Sequence, residues 1–418
     1  MLPRYASLGS AEAHRSKGDA YHAVIYTVLD VLRRRSVGHA RHAVWRRFLP
    51  GKAESRRQMN PISPSSTDVT MRPQLPVSPG QRVERPQRRQ RGLIILIVIC
   101  GLLAFSYVAA SVFMATQIVD STARPLNNQT PAEFRLAYRD VAFVSREDRV
   151  QLRGWFIPGV LPNGHLTTDR TLIVLHGNGA NRQDTTIKLM DLERDLAHHG
   201  FAVLAFDMRN AGQSAKAIDG LGSLEYRDVL GAVDFLRQGP LPFPDLGRPR
   251  VIAGWGLSEG GTAMIYATAR EAAIRALVVD STEAEWMPII EREYPLRGAE
   301  RFPFLGPLMP GLLPGAFTAE ALIYGVNQYA NRPVDVVAHL APRPLFFIHA
   351  DHDDFVPSSM MDQLVAAASV PANANVQSWK VPNVYKHAQN YATYPAEYVA
   401  RVTAFYTAAL GPDRSGGV

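Results

Sequence analysis

The stretch Gly256-Leu257-Ser258-Glu259-Gly260 follows the apolar run Val251-Ile252-Ala253 and precedes the small-residue segment Gly261-Thr262-Ala263-Met264. An apolar run followed by small residues at helical spacing predicts a strand that turns sharply into a helix. A serine at that junction reads as a nucleophile elbow. The tight turn strains the serine backbone and lifts its hydroxyl clear of the sheet, and glycine two positions to either side lets the chains pass closely. Gly-x-Ser-x-Gly also occurs as a plain tight turn, so its meaning depends on the rest of the chain.

Working outward from the elbow, strand-like and helix-like segments alternate, which signals a mostly parallel sheet covered on both faces. Leu136 to Val144 and Val150 to Ile157 form an opening antiparallel pair, and strands follow at Thr171 to Leu175, Phe201 to Phe206 and Val251 to the elbow. Further strands are expected at Ala276 to Asp280, Pro344 to Ile348 and Val376 to Val381. Helices are expected from Arg182 to His199, Ser223 to Gln238, the elbow to Glu271, and Pro395 to Leu410.

This order resembles the α/β-hydrolase fold over about residues 134 to 410. Within it, the chain looks like the membrane-anchored serine hydrolases of the prolyl-oligopeptidase and serine-aminopeptidase branch. The resemblance implies a mostly parallel eight-stranded sheet with helices on both faces and a short cap at about 282–335. It also implies a Ser-Asp-His triad in that chain order. A serine hydroxyl needs a base to take its proton and a third group to hold that base in the right tautomer. Ile348-His349-Ala350-Asp351-His352-Asp353-Asp354-Phe355-Val356-Pro357 matches the family's His-Gly-x-x-Asp-x-x-Val-Pro pattern with Ala350 at the glycine, which makes Asp353 the acid. His387, in Val384-Tyr385-Lys386-His387-Ala388, stands where the family places its base. Asp280, at the end of the preceding strand, is the alternative acid, and Asp351 and Asp354 read as structural or solvated.

Leu175-His176-Gly177-Asn178-Gly179-Ala180-Asn181 resembles the family's oxyanion loop. The implied donors to a developing oxyanion are the backbone N–H groups of Asn178 and Glu259. Asn181 reads as the cap of the next helix. Asp207-Met208-Arg209-Asn210-Ala211-Gly212-Gln213-Ser214 matches the family's Asp-x-Arg-Gly-x-Gly-x-Ser turn, with Asn210 tolerating a left-handed backbone, and is structural. A carboxylate at Glu259 opposes an oxyanion unless it turns away or meets a cation such as Arg209 or Arg182.

Gly92 to Val119 carries no charge, and Leu93 to Ile99 opens an apolar run longer than the roughly 20 residues that cross a bilayer. Residues 92–119 are therefore a transmembrane helix, apolar all the way round as lipid requires. Arg82, Arg85, Arg88, Arg89 and Arg91 precede it, so the N-terminus stays in the cytoplasm and the catalytic domain lies on the non-cytoplasmic side. A cleaved signal peptide is the rival reading, although its apolar core is shorter. Residues 1–91 hold 18 Lys/Arg and 6 Asp/Glu, a net of +12, and read as a largely disordered tail with a short amphipathic helix at Tyr21 to Arg35. Met59 and Met71 are alternative starts. Residues 120–133 form a linker, 134–410 the catalytic domain and 411–418 a flexible C-terminus.

The remaining 27 basic and 32 acidic residues net −5, which argues against nucleic acid as a partner. Cys100 is the single cysteine, so neither an internal disulfide nor a cysteine metal site exists. The carboxylates at 351–354 lack further spaced ligands, and neither a cofactor nor a metal is expected. The Pro-rich apolar segment Phe302 to Pro314, with Trp286 and Met287, suggests a small-molecule acyl ester or other hydrophobic substrate near the membrane lipid bilayer. Three functions stay open: an esterase, a peptidase or amidase with the same triad, and a non-catalytic envelope protein on a hydrolase scaffold.

Overall fold

A computed structural model describes residues 86–120, 125–301, 308–373 and 375–414 of the 418-residue chain. The tail up to residue 85, with the helix expected at Tyr21 to Arg35, lies outside the described residues. Eight strands make the main sheet: β1 (Arg139–Val144), β2 (Gln151–Ile157), β3 (Arg170–Leu175), β4 (Ala202–Asp207), β5 (Val251–Leu257), β6 (Ile274–Asp280), β7 (Leu345–Ala350) and β8 (Val376–Val381). Their order is β1-β2-β4-β3-β5-β6-β7-β8. β2 runs antiparallel to β1 and to β4, and the rest of the sheet is parallel.

The longer helices are α1 (Pro86–Val119), α2 (Leu189–His198), α3 (Tyr226–Gln238), α4 (Glu259–Arg270), α5 (Met287–Arg301), α6 (Met309–Tyr324), α7 (Ser359–Ala368) and α8 (Pro395–Leu410). Strands β3 and β4 are buried at every position, because both faces of a parallel sheet are covered. Ile173, Leu204 and Phe206 pack with Val229, Met264 and Leu364 on the side of α3, α4 and α7. Leu172, Val203 and Trp255 pack with Leu196, Val402 and Tyr406 on the side of α2 and α8. Tyr398 Oη ties α8 into the sheet, accepting from Trp255 Nε1 at 3.0 Å and donating to Asp280 Oδ2 at 2.7 Å.

Four segments differ from expectation. The helix foreseen from Arg182 begins only at Leu189, because Asn181 Oδ1 accepts from Gln183 N and Asp184 Oδ1 from Thr186 N, local side-chain bonds that compete with helix formation. Asn181 thus caps a turn and not α2. Residues 125–134 are tied to the domain, with Asn127 N donating to Gln183 Oε1 at 2.7 Å and Gln183 Nε2 to the Gln129 carbonyl at 2.6 Å. Residues 411–414 are held as well: Thr167 Oγ1 donates to Asp413 Oδ2 at 2.8 Å, and Arg414 N to Asp169 Oδ2 at 3.1 Å.

The fourth difference concerns α1. Between Arg89 and Val119 it is long and apolar enough to cross a membrane, with mean hydropathy 2.8 in its most apolar window. Its last turns are not exposed all round, as the uniformly apolar composition had suggested. Ser111, Met114, Ala115, Ile118 and Val119 are buried, and Met114 and Ile118 share a core with Trp286, Ile290, Leu313 and Phe317 of the cap. Tyr107 Oη donates to the Gly311 carbonyl at 3.2 Å. A side chain at Gly315 would collide with Ser111 Oγ, so a small residue is what lets α6 lie against α1.

Candidate active site

The elbow joins β5 to α4. Ser258 stands at φ 51°, ψ −121°, a strained conformation for a residue with a side chain. A Cβ at Gly256 would overlap the Gly260 carbonyl oxygen, and one at Gly260 would overlap that of His176. The two glycines are therefore required by the close passage of strand, helix and loop. Ser258 N donates to the Asp280 carbonyl at 2.8 Å, which fixes the elbow to the end of β6.

β7 and β8 bring the remaining groups to the same sheet edge. His387 Nε2 lies 3.1 Å from Ser258 Oγ, and His387 Nδ1 lies 2.9 Å from Asp353 Oδ2 and 3.1 Å from Oδ1. Asp353 Oδ1 also accepts from Phe355 N and Val356 N, each at 2.8 Å. These bonds orient the carboxylate. Burial alone would raise the Asp353 pKa, but the bond to His387 and the charge of its imidazolium hold it below the usual value. Burial works against a charged His387, yet the Asp353 bond and charge, with Glu283 and Asp280 behind them, raise its pKa above 6.5. The arrangement can carry a proton from Ser258 to His387.

The oxyanion-type loop follows β3 and is set by His176. Its Nε2 accepts from Met208 N at 3.0 Å, so Nδ1 carries the proton and donates to the Gly177 carbonyl at 2.8 Å. Neither Asn178 N–H nor Glu259 N–H is taken by a loop or cap hydrogen bond among the described residues. Both stand beside the serine, one on the loop and one at the first position of α4. The Glu259 side chain meets neither suggested cation: Arg182 pairs with Asp207, and Arg209 with Asp228 and Asp148. Instead Glu259 Oε2 accepts from Asn178 Nδ2 at 2.7 Å. Burial, with Asp219 and Glu225 nearby, pushes its pKa well above the usual carboxylate range, favouring the neutral acid beside the loop.

Glu283 escapes a motif-based reading. Its Oε1 lies 2.7 Å from Ser258 Oγ and its Oε2 3.3 Å from Thr262 Oγ1, in a fully buried position. Burial pushes its pKa up to about 7 against the opposing pull of His387 and these hydroxyls. The available signal was position, three residues beyond the end of β6 at the same sheet edge as the elbow. Asp280, the alternative acid, is engaged elsewhere, accepting from Asn390 Nδ2, Ser281 Oγ and Tyr398 Oη. Asp351 accepts from Asn383 N and Val384 N, and Asp354 pairs with Lys386, so the acidic run 351–354 points to separate partners. Asp219, Glu225 and Glu259 do lie together, with oxygens within 4.8 Å of one another. Glu225 there accepts from Gly220 N and Gly222 N.

A cavity of about 870 Å³ opens over Ser258 and His387. Leu257, Trp286, Ile290 and Phe355 line it with the oxyanion-type loop, and so do Phe113, Met114 and Ile118 of α1.

The chain matches the alpha/beta hydrolase family model over residues 172–401, more than half its length. Among solved structures it is similar to the esterase Pf2001 of Pyrococcus furiosus, with 25% identity, 69% of this chain and 99% of that one covered, and a TM-score of 0.53. Est1E from Butyrivibrio proteoclasticus is similar at 19% identity over 65% of this chain and 99% of that one, with a TM-score of 0.45. An acylaminoacyl peptidase of Pyrococcus horikoshii is similar at 15% identity over 65% of this chain and 41% of that one, also at 0.45. No curated protein matches the chain. The family match and the eight-stranded sheet around the Ser258 elbow agree: this chain belongs to the alpha/beta hydrolase family.

Proposed function

We propose that the protein is a membrane-anchored serine hydrolase that cleaves carboxylic esters through an acyl-enzyme on Ser258. The observation that carries this reading is the unbroken path Ser258 Oγ, His387 Nε2, His387 Nδ1, Asp353, with spacings of 3.1 and 2.9 Å. Ser258 Oγ attacks the ester carbonyl carbon while His387 Nε2 takes its proton. The carbonyl oxygen becomes an oxyanion facing the Asn178 and Glu259 N–H groups, each donor of this kind being worth roughly 3–4 kcal/mol. Collapse breaks the bond to the leaving oxygen, which receives the proton from His387. Water then attacks the acyl-enzyme with His387 again as base, releasing the acid and restoring Ser258. The five arginines between Arg82 and Arg91 support an orientation with the N-terminus on the cytoplasmic side.

A second reading, an amidase or peptidase using the same groups, draws support from Asp184 and Glu293 on the cavity wall, which could hold a substrate amine. A fluorophosphonate probe tests the common chemistry: the expected result is labelling of the wild type and none of Ser258→Ala. Labelling that persists in the variant overturns it. A panel of p-nitrophenyl esters beside aminoacyl anilides separates ester from amide cleavage.

A further inference from the structure

We infer that the substrate is an uncharged long-chain acyl ester resident in the bilayer, whose chain reaches Ser258 sideways along the cavity wall that Phe113, Met114 and Ile118 of α1 form beside the cap. The inference rests on the serine-hydrolase reading and names the substrate class of that site. An enzyme that merely carries an anchor has no need to build the anchor into its pocket. Here Phe113, Met114 and Ile118 of α1 line the cavity that also holds Ser258 and His387, with Met309 of α6 beside them.

Helix length gives the depth. At 1.5 Å per residue, about 20 residues cross a hydrocarbon core of about 30 Å. Counted from Leu93, the first large apolar residue after Arg91, they end at Val112, one residue before Phe113 begins the cavity wall. Burial changes at the same place. Leu102, Leu103, Phe105 and Val108 are more than half exposed, whereas Ser111, Met114, Ala115 and Ile118 are buried. The pocket thus starts where the helix leaves the hydrocarbon. The cap continues the apolar surface, since Leu308 is 58% and Leu322 75% exposed on and beside α6.

The polar part of the wall limits the alcohol half. No lysine or arginine lines the cavity among the described residues, while Asp120, Asp184, Glu293 and Asp354 do. Lys386 and Lys216 meet Asp354 and Asp120 at 2.7 and 3.6 Å without lining the space. Among the described lining residues a phosphate would meet carboxylates and neither lysine nor arginine, whereas a glycerol or simple alcohol meets hydrogen-bond acceptors.

The test uses the full chain in phosphatidylcholine vesicles, treated with a hexadecyl fluorophosphonate bearing a terminal diazirine, then irradiated and peptide-mapped. Expected are attachment at Ser258 and photo-cross-links within residues 107–119 of α1 or 308–317 of α6. Attachment at Ser258 with cross-links confined to 184–187 or 354–355 overturns the lateral route while leaving the hydrolase reading intact. A short-chain fluorophosphonate that also fails to label Ser258 overturns the hydrolase reading and this one with it. Vesicle-borne dioleoylglycerol should be cleaved at least about tenfold faster than dioleoylphosphatidylglycerol. Equal rates, or the reverse order, overturn the assignment of an uncharged substrate.

Discussion

Replacing Asp353 with asparagine tests the proposed proton path at its most constrained point. Asp353 Oδ1 already accepts two backbone N–H groups, from Phe355 and Val356 at 2.8 Å, so both its lone pairs are taken. In Asp353→Asn those donors keep the amide carbonyl in the Oδ1 place. A flip would set the NH2 group against two N–H donors, which is costly for a buried group. The NH2 therefore takes the Oδ2 place, 2.9 Å from His387 Nδ1, and that nitrogen must become the acceptor. The imidazole proton moves to Nε2, where it points at Ser258 Oγ 3.1 Å away and cannot accept from it. A wrong-tautomer base costs about 10⁴-fold in kcat, or about 5.5 kcal/mol. Steady-state hydrolysis of p-nitrophenyl butyrate at pH 7.5 measures it, with the melting temperature as a control for the preserved loop bonds. A kcat within about tenfold of wild type, in a protein that melts normally, would refute the role of Asp353.

Four further substitutions probe other features. Glu283→Gln removes a negative charge that raises the His387 pKa; activity needs neutral His387, so the acid limb of the kcat/KM profile should move to lower pH, and a limb that stays or rises contradicts the contact. Gly256→Ala drives a methyl group into the Gly260 carbonyl and should cost about 1–3 kcal/mol of stability in denaturant melts, whereas Gly311→Ala, with nothing within 4 Å of the new Cβ, should not destabilise. Glu259→Gln tests the buried acid. A folded pKa raised above 4.5 contributes stability that is complete below that value and is lost as pH rises, so the melting-temperature advantage of the variant should grow from pH 5 to pH 8. A constant difference would mean that Glu259 does not titrate differently on folding.

The sequence alone determined the elbow, since glycines at 256 and 260 around Ser258 answer a steric demand that any strand-to-helix crossover of this kind makes. It also determined the strand run, because a parallel sheet covered on both faces needs continuous apolar segments such as Leu172 to Leu175 and Val203 to Phe206. Hydropathy made α1 legible as a helix long and apolar enough to cross a membrane, since bilayer thickness sets the length such a helix needs. Tertiary structure alone decided what lies beside the serine. Glu283 belongs to no motif and reaches Ser258 Oγ because β6 ends next to the elbow, a proximity that sequence distance does not encode. The partner of Glu259 was hidden for the same reason: Asn178 arrives on a loop 81 residues earlier and supplies the hydrogen bond that a cation was expected to provide. The seating of α1 against the cap was hidden too. Composition reports how apolar a helix is, but only packing of Met114 and Ile118 against Trp286 and Phe317 determines which side faces protein.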